Sequence, residues 1–248
     1  MARQWCLQSE PSDRGVILSE RGWLTDNVIC AAQMLLLQFF PNMAGLQPPV
    51  LQKVCAFQVH SGEFVQIVHV GNNHWCVVST VGCESGAVYV YDSLYKSLAK
   101  ELIHLIASMV HSQSNELKVT MMDVEKQSNV SDCGVLAIAY AFDLCSGFNP
   151  CSARFDHSEI RLHLATCLEN CHVSRFPVLG ERKSAPRKPR TLELHCSCRM
   201  PEEKGDEMAE CDVCHVWYHR HCMDIPSEVF GEAEVNWECK RCVKAKLQ

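Results

Sequence analysis

The feature that most constrains this chain is a ladder of eight metal-binding side chains in its last 53 residues: Cys196, Cys198, Cys211, Cys214, His219, Cys222, Cys239 and Cys242. The spacing runs CxC, twelve residues, CxxC, four residues, His, two residues, Cys, sixteen residues and CxxC. A short pair clamps one ion because the turn between its members brings both donors to one side. Seven thiols and one imidazole in four such pairs make two tetrahedral zinc sites. A disulfide framework is the competing use of so many thiols, but the total of 17 cysteines is odd and residues 1–22 hold no apolar run of signal-peptide length. Reduced thiols in an intracellular protein are the expectation.

The order of spacers resembles the PHD finger, in which pairs one and three share one zinc and pairs two and four share the other. The resemblance implies that Cys196, Cys198, His219 and Cys222 hold one ion and that Cys211, Cys214, Cys239 and Cys242 hold the second. Trp237, two residues before Cys239, stands where such fingers keep a core tryptophan. Several PHD fingers bind a histone N-terminal tail and lodge a methylated lysine among aromatic or Met side chains. The matching positions here are His195, Met208 and Trp217, with Glu202 at another position that can be aromatic. Trp217 is a cation–π wall and Met208 a polarizable one, while Asp206, Glu207 and Glu210 suit basic tail residues. The plainer reading is a finger that steadies its neighbour or docks an unrelated protein.

At 248 residues the chain has room for one substantial core before the finger. The longest apolar stretch, from Val28 to Phe40, is interrupted by Gln33 and Gln38 and is too short to span a bilayer, so no membrane role is expected. Charge is uneven. Residues 181–190 carry Arg182, Lys183, Arg187, Lys188 and Arg190 against Glu181, whereas residues 191–248 hold seven basic and twelve acidic side chains. The strap RKSAPRKPR has two prolines and no apolar periodicity, which reads as an extended, solvated linker and as a nuclear import signal. No direct nucleic-acid site is expected beyond that linker.

In the first domain, WLTDNVICAAQMLLLQFFP predicts a buried helix capped by Thr25 or Asp26 and stopped before Pro41. Residues 63–70, 74–80, 87–92 and 118–124 are short β-branched or aromatic runs that predict strands. Leu98, Leu102, Leu105, Ile106 and Met109 recur at helical spacing behind Ser97, taken as the cap. The run VLAIAYAFDL after Gly134 predicts a fully buried central helix that begins at or beside Cys133.

His74 opens one predicted strand, Asp92 closes the next, Gln127 lies six residues before Cys133, and Cys133 starts the buried helix. A thiol at a helix N-terminus feels the positive end of the macrodipole, and an adjacent imidazole holds it as the attacking thiolate. Taken alone, each residue has a plain structural use: a packed thiol, a structural donor, a strand-end turn. Together the words NHW, YDS and QSNVSDCG resemble the papain-like cysteine proteases that cleave SUMO and related ubiquitin-like modifiers. The resemblance implies Cys133 as nucleophile, His74 as proton carrier, Asp92 as the group that orients it and Gln127 as part of the oxyanion site. It also implies that Trp23 and Trp75 sandwich the modifier's flat diglycine tail, with Asp26 touching the modifier. The other nine cysteines outside the finger read as small apolar residues.

The expected fold is α+β: an N-terminal segment 1–22, a papain-like cysteine protease domain 23–176, a basic linker 177–190 and a two-zinc cross-brace finger 191–248. The expected protein is nuclear and releases or processes a ubiquitin-like modifier, with a histone tail as a second partner. The alternative is a non-catalytic chromatin-binding protein whose protease-like domain only docks a modifier.

Overall fold

The structure, a computed structural model, describes residues 11–53, 57–71, 73–110, 114–202, 204–231 and 235–246. Helix α1 spans Pro11–Leu18 and α2 spans Asp26–Phe39. Thr25 begins α2 because its extended backbone aims Oγ1 at the Val28 N–H, 3.4 Å away. Strand β1 (Ala44–Gly45) and the short helix α3 (Val50–Lys53) lead into β2 (Phe64–Val70), β3 (His74–Ser79) and β4 (Ala87–Tyr91). Helix α4 (Lys100–Met109), β5 (Glu116–Met121), α5 (Cys133–Cys145), β6 (Ala153–Phe155), α6 (Ile160–Asn170), β7 (Val178–Glu181) and β8 (Arg190–Glu193) follow.

One six-stranded sheet, in the order β1-β2-β3-β4-β5-β8, is the backbone of the larger domain. The β1–β2 and β4–β5 pairs are parallel; the others are antiparallel. The period-2 alternation of β3 divides the core. Trp75 and Val77 join the cluster around α2, α5 and α6, whereas Cys76 and Val78 join Leu102, Ile106 and Met109 of α4 on the other side. Helix α5 is buried at every position from Cys133 to Leu144, as its nearly unbroken apolar sequence requires.

Helix α4 departs from expectation at its start. Its N-cap is Ala99, with no side-chain cap bond, and not Ser97. The buried stripe of Leu102, Leu105, Ile106 and Met109 holds the helix, so no cap is required. Helices α1 and α6 have no counterpart in the sequence reading.

The linker is extended and exposed from Lys183 to Arg190, as its composition implies, but it is anchored at both ends. Within residues 177–190, β7 (Val178–Glu181) pairs with β6, and β8 (Arg190–Glu193) forms the edge of the main sheet against β5. Between them Asp123 accepts hydrogen bonds from Arg182 Nη2 (3.1 Å), the Ala185 N–H (2.8 Å) and Arg187 Nη2 (2.6 Å). The amide hydrogen bond and the two guanidinium groups hold the Asp123 carboxyl well below the usual carboxylate range. Prolines forbid a helix here, but the extended backbone they favour suits an edge strand. Leu192 and Leu194 alternate inward and are buried with Leu117 and Val119. The Leu194 N–H then donates to Asn115 O (2.6 Å), and Arg199 Nη2 to Ser114 O (2.9 Å). The finger is therefore sewn to the sheet of the larger domain.

The finger contains β9 (Met208–Glu210) and β10 (Trp217–His219) as an antiparallel ribbon, followed by the short helices α7 (Arg220–Met223) and α8 (Lys240–Ala245). Its core is small: Ala209, Tyr218 and Ile225 around the buried Cys211 and Cys239, with Trp237 packed edge-on against Tyr218.

Candidate active site and metal centres

Strand β3 begins at His74, and Asp92 follows the last residue of the neighbouring β4, so antiparallel pairing brings the two side chains together. His74 Nε2 lies 2.9 Å from Asp92 Oδ1 and both side chains are 3% exposed. The same carboxylate oxygen accepts the N–H groups of Leu94 and Tyr95, each at 2.7 Å. Lys126 Nζ ties this turn down by donating to Asp92 O (2.7 Å) and Tyr95 O (2.8 Å). The Tyr95 ring meets the His74 ring edge to face at 5.0 Å.

With Nε2 engaged, His74 keeps a buried Nδ1 that makes no hydrogen bond among the described residues. The Cys133 sulfur lies near enough to act on the charge of this imidazole. Burial pushes the imidazole's pKa down, but the Asp92 carboxylate and the Cys133 sulfur outweigh it and lift it to about 9. Cys133 is the first residue of α5, where the helix macrodipole favours negative charge, and its sulfur also lies 3.9 Å from Asn73 O. A protonated imidazole beside a thiol at a helix N-terminus is an arrangement for making and holding a thiolate nucleophile.

Gln127 is placed by Ser93, the residue after Asp92. Ser93 Oγ donates to Gln127 Oε1 (2.6 Å), and the Gln127 N–H donates to Ser93 O (3.0 Å). Gln127 Nε2 donates to Asn129 O (2.6 Å), which leaves its second amide hydrogen for another acceptor.

The cleft beside these groups measures about 440 Å³ and is lined by Trp23, Asp26, His69, Asn73 and Trp75 among others. The two tryptophans differ. Trp23 is 45% exposed and donates Nε1–H to Val130 O (3.0 Å). Trp75 is 2% exposed and donates Nε1–H to Leu24 O (3.1 Å). Leu24 in turn lies over Gly134, where an added Cβ would come within 3.0 Å of the Leu24 side chain. This glycine permits the Trp23-containing segment to lie against the start of α5. Asp26 forms an exposed ion pair with Lys53 (2.9 Å) at the cleft's edge.

In the finger the fold brings the ladder together as two clusters: Cys196, Cys198, His219 and Cys222; and Cys211, Cys214, Cys239 and Cys242. The donor atoms of each lie within 4.8 Å of one another. A tetrahedron of sulfurs at ~2.3 Å from zinc has edges of ~3.8 Å. Cys214 Sγ and Cys239 Sγ are 3.9 Å apart, and Cys198 Sγ lies 3.3 Å from His219 Nδ1, so both donor sets fit zinc. Asp206 Oδ2 sits 3.5 Å from His219 Nε2, which fixes the ring with Nδ1 toward the sulfurs.

Trp217 and Met208 lie diagonally on one face of the β9–β10 ribbon, since Trp217 pairs with Glu210 and His219 with Met208. Trp217 is 45% exposed. His195 sits at an isolated bridge with Met200, one residue before the Cys196 N–H that donates to Trp217 O (2.8 Å).

Several members of this site carried no sequence signal of their own. Asp132, Asn129 and Arg161 form one hydrogen-bonded group behind Cys133, and Lys126 braces Asp92. The position of Asp132 beside the nucleophile was the one available cue.

A thiol, an imidazole and a carboxylate in this order on an α+β domain define a cysteine peptidase in class. Residues 64–172 match the model of the Ulp1 protease family, C-terminal catalytic domain, and residues 196–242 match the PHD-finger model. The chain thus resembles a Ulp1-family catalytic domain followed by a PHD finger. Solved structures similar to it include the C-terminal Ulp1 protease domain in complex with Smt3, the yeast ortholog of SUMO (13% identity, 68% of this chain and 94% of that one, TM-score 0.49). Another is the Chaetomium thermophilum Ulp1-like SUMO protease catalytic domain (17%, 63% and 76%, TM-score 0.41). Among curated proteins, lysine-specific demethylase 7B of Danio rerio is 33% identical over 52 residues, 21% of this chain and 9% of that protein. The Set1 complex component spp1 of Schizosaccharomyces pombe is 35% identical over 51 residues, 21% of this chain and 12% of that protein. The chain thus spans about a tenth of the length of these relatives.

Proposed function

We propose that the protein cleaves after the diglycine tail of a SUMO-type modifier, as a peptidase or isopeptidase, and that its finger holds two zinc ions and brings it to chromatin. The reading rests on one observation: the imidazole whose Nε2 is fixed by Asp92 keeps its other nitrogen for Cys133 at the N-terminus of α5. Cys133 thiolate attacks the carbonyl carbon of the terminal glycine. Gln127 and a backbone N–H near Cys133 receive the negative charge on the carbonyl oxygen. As the C–N bond breaks, the His74 imidazolium gives its proton to the departing amine, leaving a thioester on Cys133. His74 then takes a proton from water, whose oxygen attacks the thioester and frees the thiolate. The cleft lined by Trp23 and Trp75 receives the tail, whose glycines, lacking a Cβ, need the least room against the two rings.

For the finger, the names of the similar curated proteins, among them lysine demethylases and a Set1 complex component, support a histone tail as partner. The exposed Trp217 beside Met208 and the acidic Glu207 and Glu210 suit such a basic peptide. A nuclear location follows from that partner. Hydrolysis of a SUMO precursor by the full chain, absent in Cys133→Ala, tests the enzymatic half. A folded protein that binds SUMO without cleaving it would leave a docking domain instead.

A further inference from the structure

Arg161 on α6 is 7% exposed and spends all five guanidinium N–H groups on three separate stretches of chain. Nε donates to Asp132 Oδ1 at 2.7 Å. Nη1 donates to Ile17 O at 2.9 Å and Val16 O at 3.5 Å, at the end of α1. Nη2 donates to Gly22 O and Ser131 O, each at 3.0 Å. Gly22 immediately precedes Trp23; Ser131 and Asp132 immediately precede Cys133. One side chain therefore holds the segment that carries the exposed cleft wall and the loop that delivers the nucleophile.

Two further bonds close the same seam. Ser131 Oγ donates to Glu20 O (2.6 Å) and Trp23 Nε1 to Val130 O (3.0 Å). The second Asp132 oxygen accepts from Asn129 Nδ2 (2.7 Å), and Asn129 O accepts from Gln127 Nε2 (2.6 Å). The chain of contacts from Arg161 through Asp132 and Asn129 thus ends on the amide assigned to the oxyanion. None of these contacts touches His74 or Asp92.

We propose that Arg161 is a positioning residue that sets the register between the Trp23 wall, Cys133 and Gln127, without contributing to the reactivity of the thiol itself. This inference rests on the proteolytic reading for its substrate, but the seam it describes is independent of that reading. A lysine at this position keeps the charge but is a point donor that cannot span three segments, so Arg161→Lys is not conservative here.

The test combines two reagents and one structural readout on the full zinc-loaded chain. In folded Arg161→Lys, labelling of Cys133 by a SUMO carrying a C-terminal electrophile should slow on the order of a hundredfold, because a small misplacement across the reacting atoms has an effect of that size. Labelling of Cys133 by iodoacetamide, which needs no cleft, should change less than about threefold in rate, being governed by thiolate character and access. Hydrogen exchange should rise together in residues 20–24 and 129–133. Should the lysine variant fail to fold, Asp132→Ala removes the carboxylate arm only, and exchange should then rise in 129–133 while 20–24 stays protected. Equal slowing with both reagents, wild-type labelling by the SUMO reagent, or exchange rising in one segment alone in Arg161→Lys would overturn the proposal. For Asp132→Ala, unchanged exchange or a rise in both segments would do the same. A wild-type chain inert to the SUMO reagent would count against the modifier reading, and the exchange result would still decide the role of Arg161.

Discussion

His74 Nε2 is held 2.9 Å from Asp92 Oδ1, with 3% of either side chain exposed, and this one contact decides which nitrogen faces Cys133. Asp92 also raises the imidazole's pKa. Burial alone would lower it; the carboxylate and the Cys133 sulfur together bring it to about 9. The imidazole is then charged at neutral pH and has a proton to give to a leaving amine.

Turnover should accordingly hold to the alkaline side of neutrality and fall as pH passes about 9, where His74 loses that proton. Asp92→Asn keeps an oxygen for the Leu94 and Tyr95 amides but removes the charge, so its alkaline limb should move to lower pH. Its kcat should fall on the order of 10³ to 10⁴ at pH 7. A rate–pH profile of both proteins checks this. The sign of the stability effect follows from the same shift. The folded state holds the His74 proton more tightly than the unfolded chain, so the stabilisation is complete below about 6.5 and is lost as pH rises through about 9. The Tm gap between wild type and His74→Gln should narrow across that window.

The two cleft tryptophans should behave differently. Trp75 is buried in the main core, so Trp75→Ala should cost about 3 to 5 kcal/mol of stability. Trp23 is 45% exposed and stands on the rim, so Trp23→Ala should leave stability within about 1 kcal/mol and lower kcat/KM at least tenfold. Denaturant unfolding beside steady-state cleavage separates the two. Equal loss of stability in both variants would remove the distinction.

Zinc should matter beyond the finger. Leu192 and Leu194 belong to the core of the larger domain, and β8 covers the edge of β5. Elemental analysis should give two zinc ions per chain. Chelation should unfold the finger, whose own core is small, and should lower the Tm of the larger domain by several degrees. Removing residues 190–248 should lower it further, because β5 then becomes an open edge. A larger domain indifferent to both treatments would contradict the docking of β8.

The finger should bind a histone N-terminal peptide weakly and favour a methylated lysine while Trp217 is intact. A single cation–π contact is worth about 0.5 to 2 kcal/mol, so the preference over unmodified lysine should be roughly thirtyfold at most. Attraction to Glu207 and Glu210 should weaken with salt and ignore methylation. Titration calorimetry on wild type and Trp217→Ala measures both parts, and an undiminished preference in the variant would move the lysine site elsewhere.

The ladder from Cys196 to Cys242 was readable because metal ligands sit at short fixed spacings, which are local properties of sequence. The buried helix from Cys133 was readable because nothing polar interrupts it before Asp143. Arg161 was not, since its value lies in four carbonyls and a carboxylate supplied by segments up to 145 residues away. The strap from Arg182 to Arg190 is solvated, as its charges and prolines imply, but its anchoring was not legible, because Asp123 and the sheet edge that pin it are distant in sequence. Only the alternation of Leu192 and Leu194 marked the strand.

The central claim is that Cys133 attacks the tail of a SUMO-type modifier, and one measurement meets it directly. The zinc-loaded chain is incubated with SUMO bearing a C-terminal electrophile, and the adduct is located by mass spectrometry. The account predicts one modifier joined to Cys133, no adduct in Cys133→Ala although the other thiols remain, and slow labelling in His74→Gln. An adduct on any other cysteine, or equal labelling of wild type and Cys133→Ala, would contradict it.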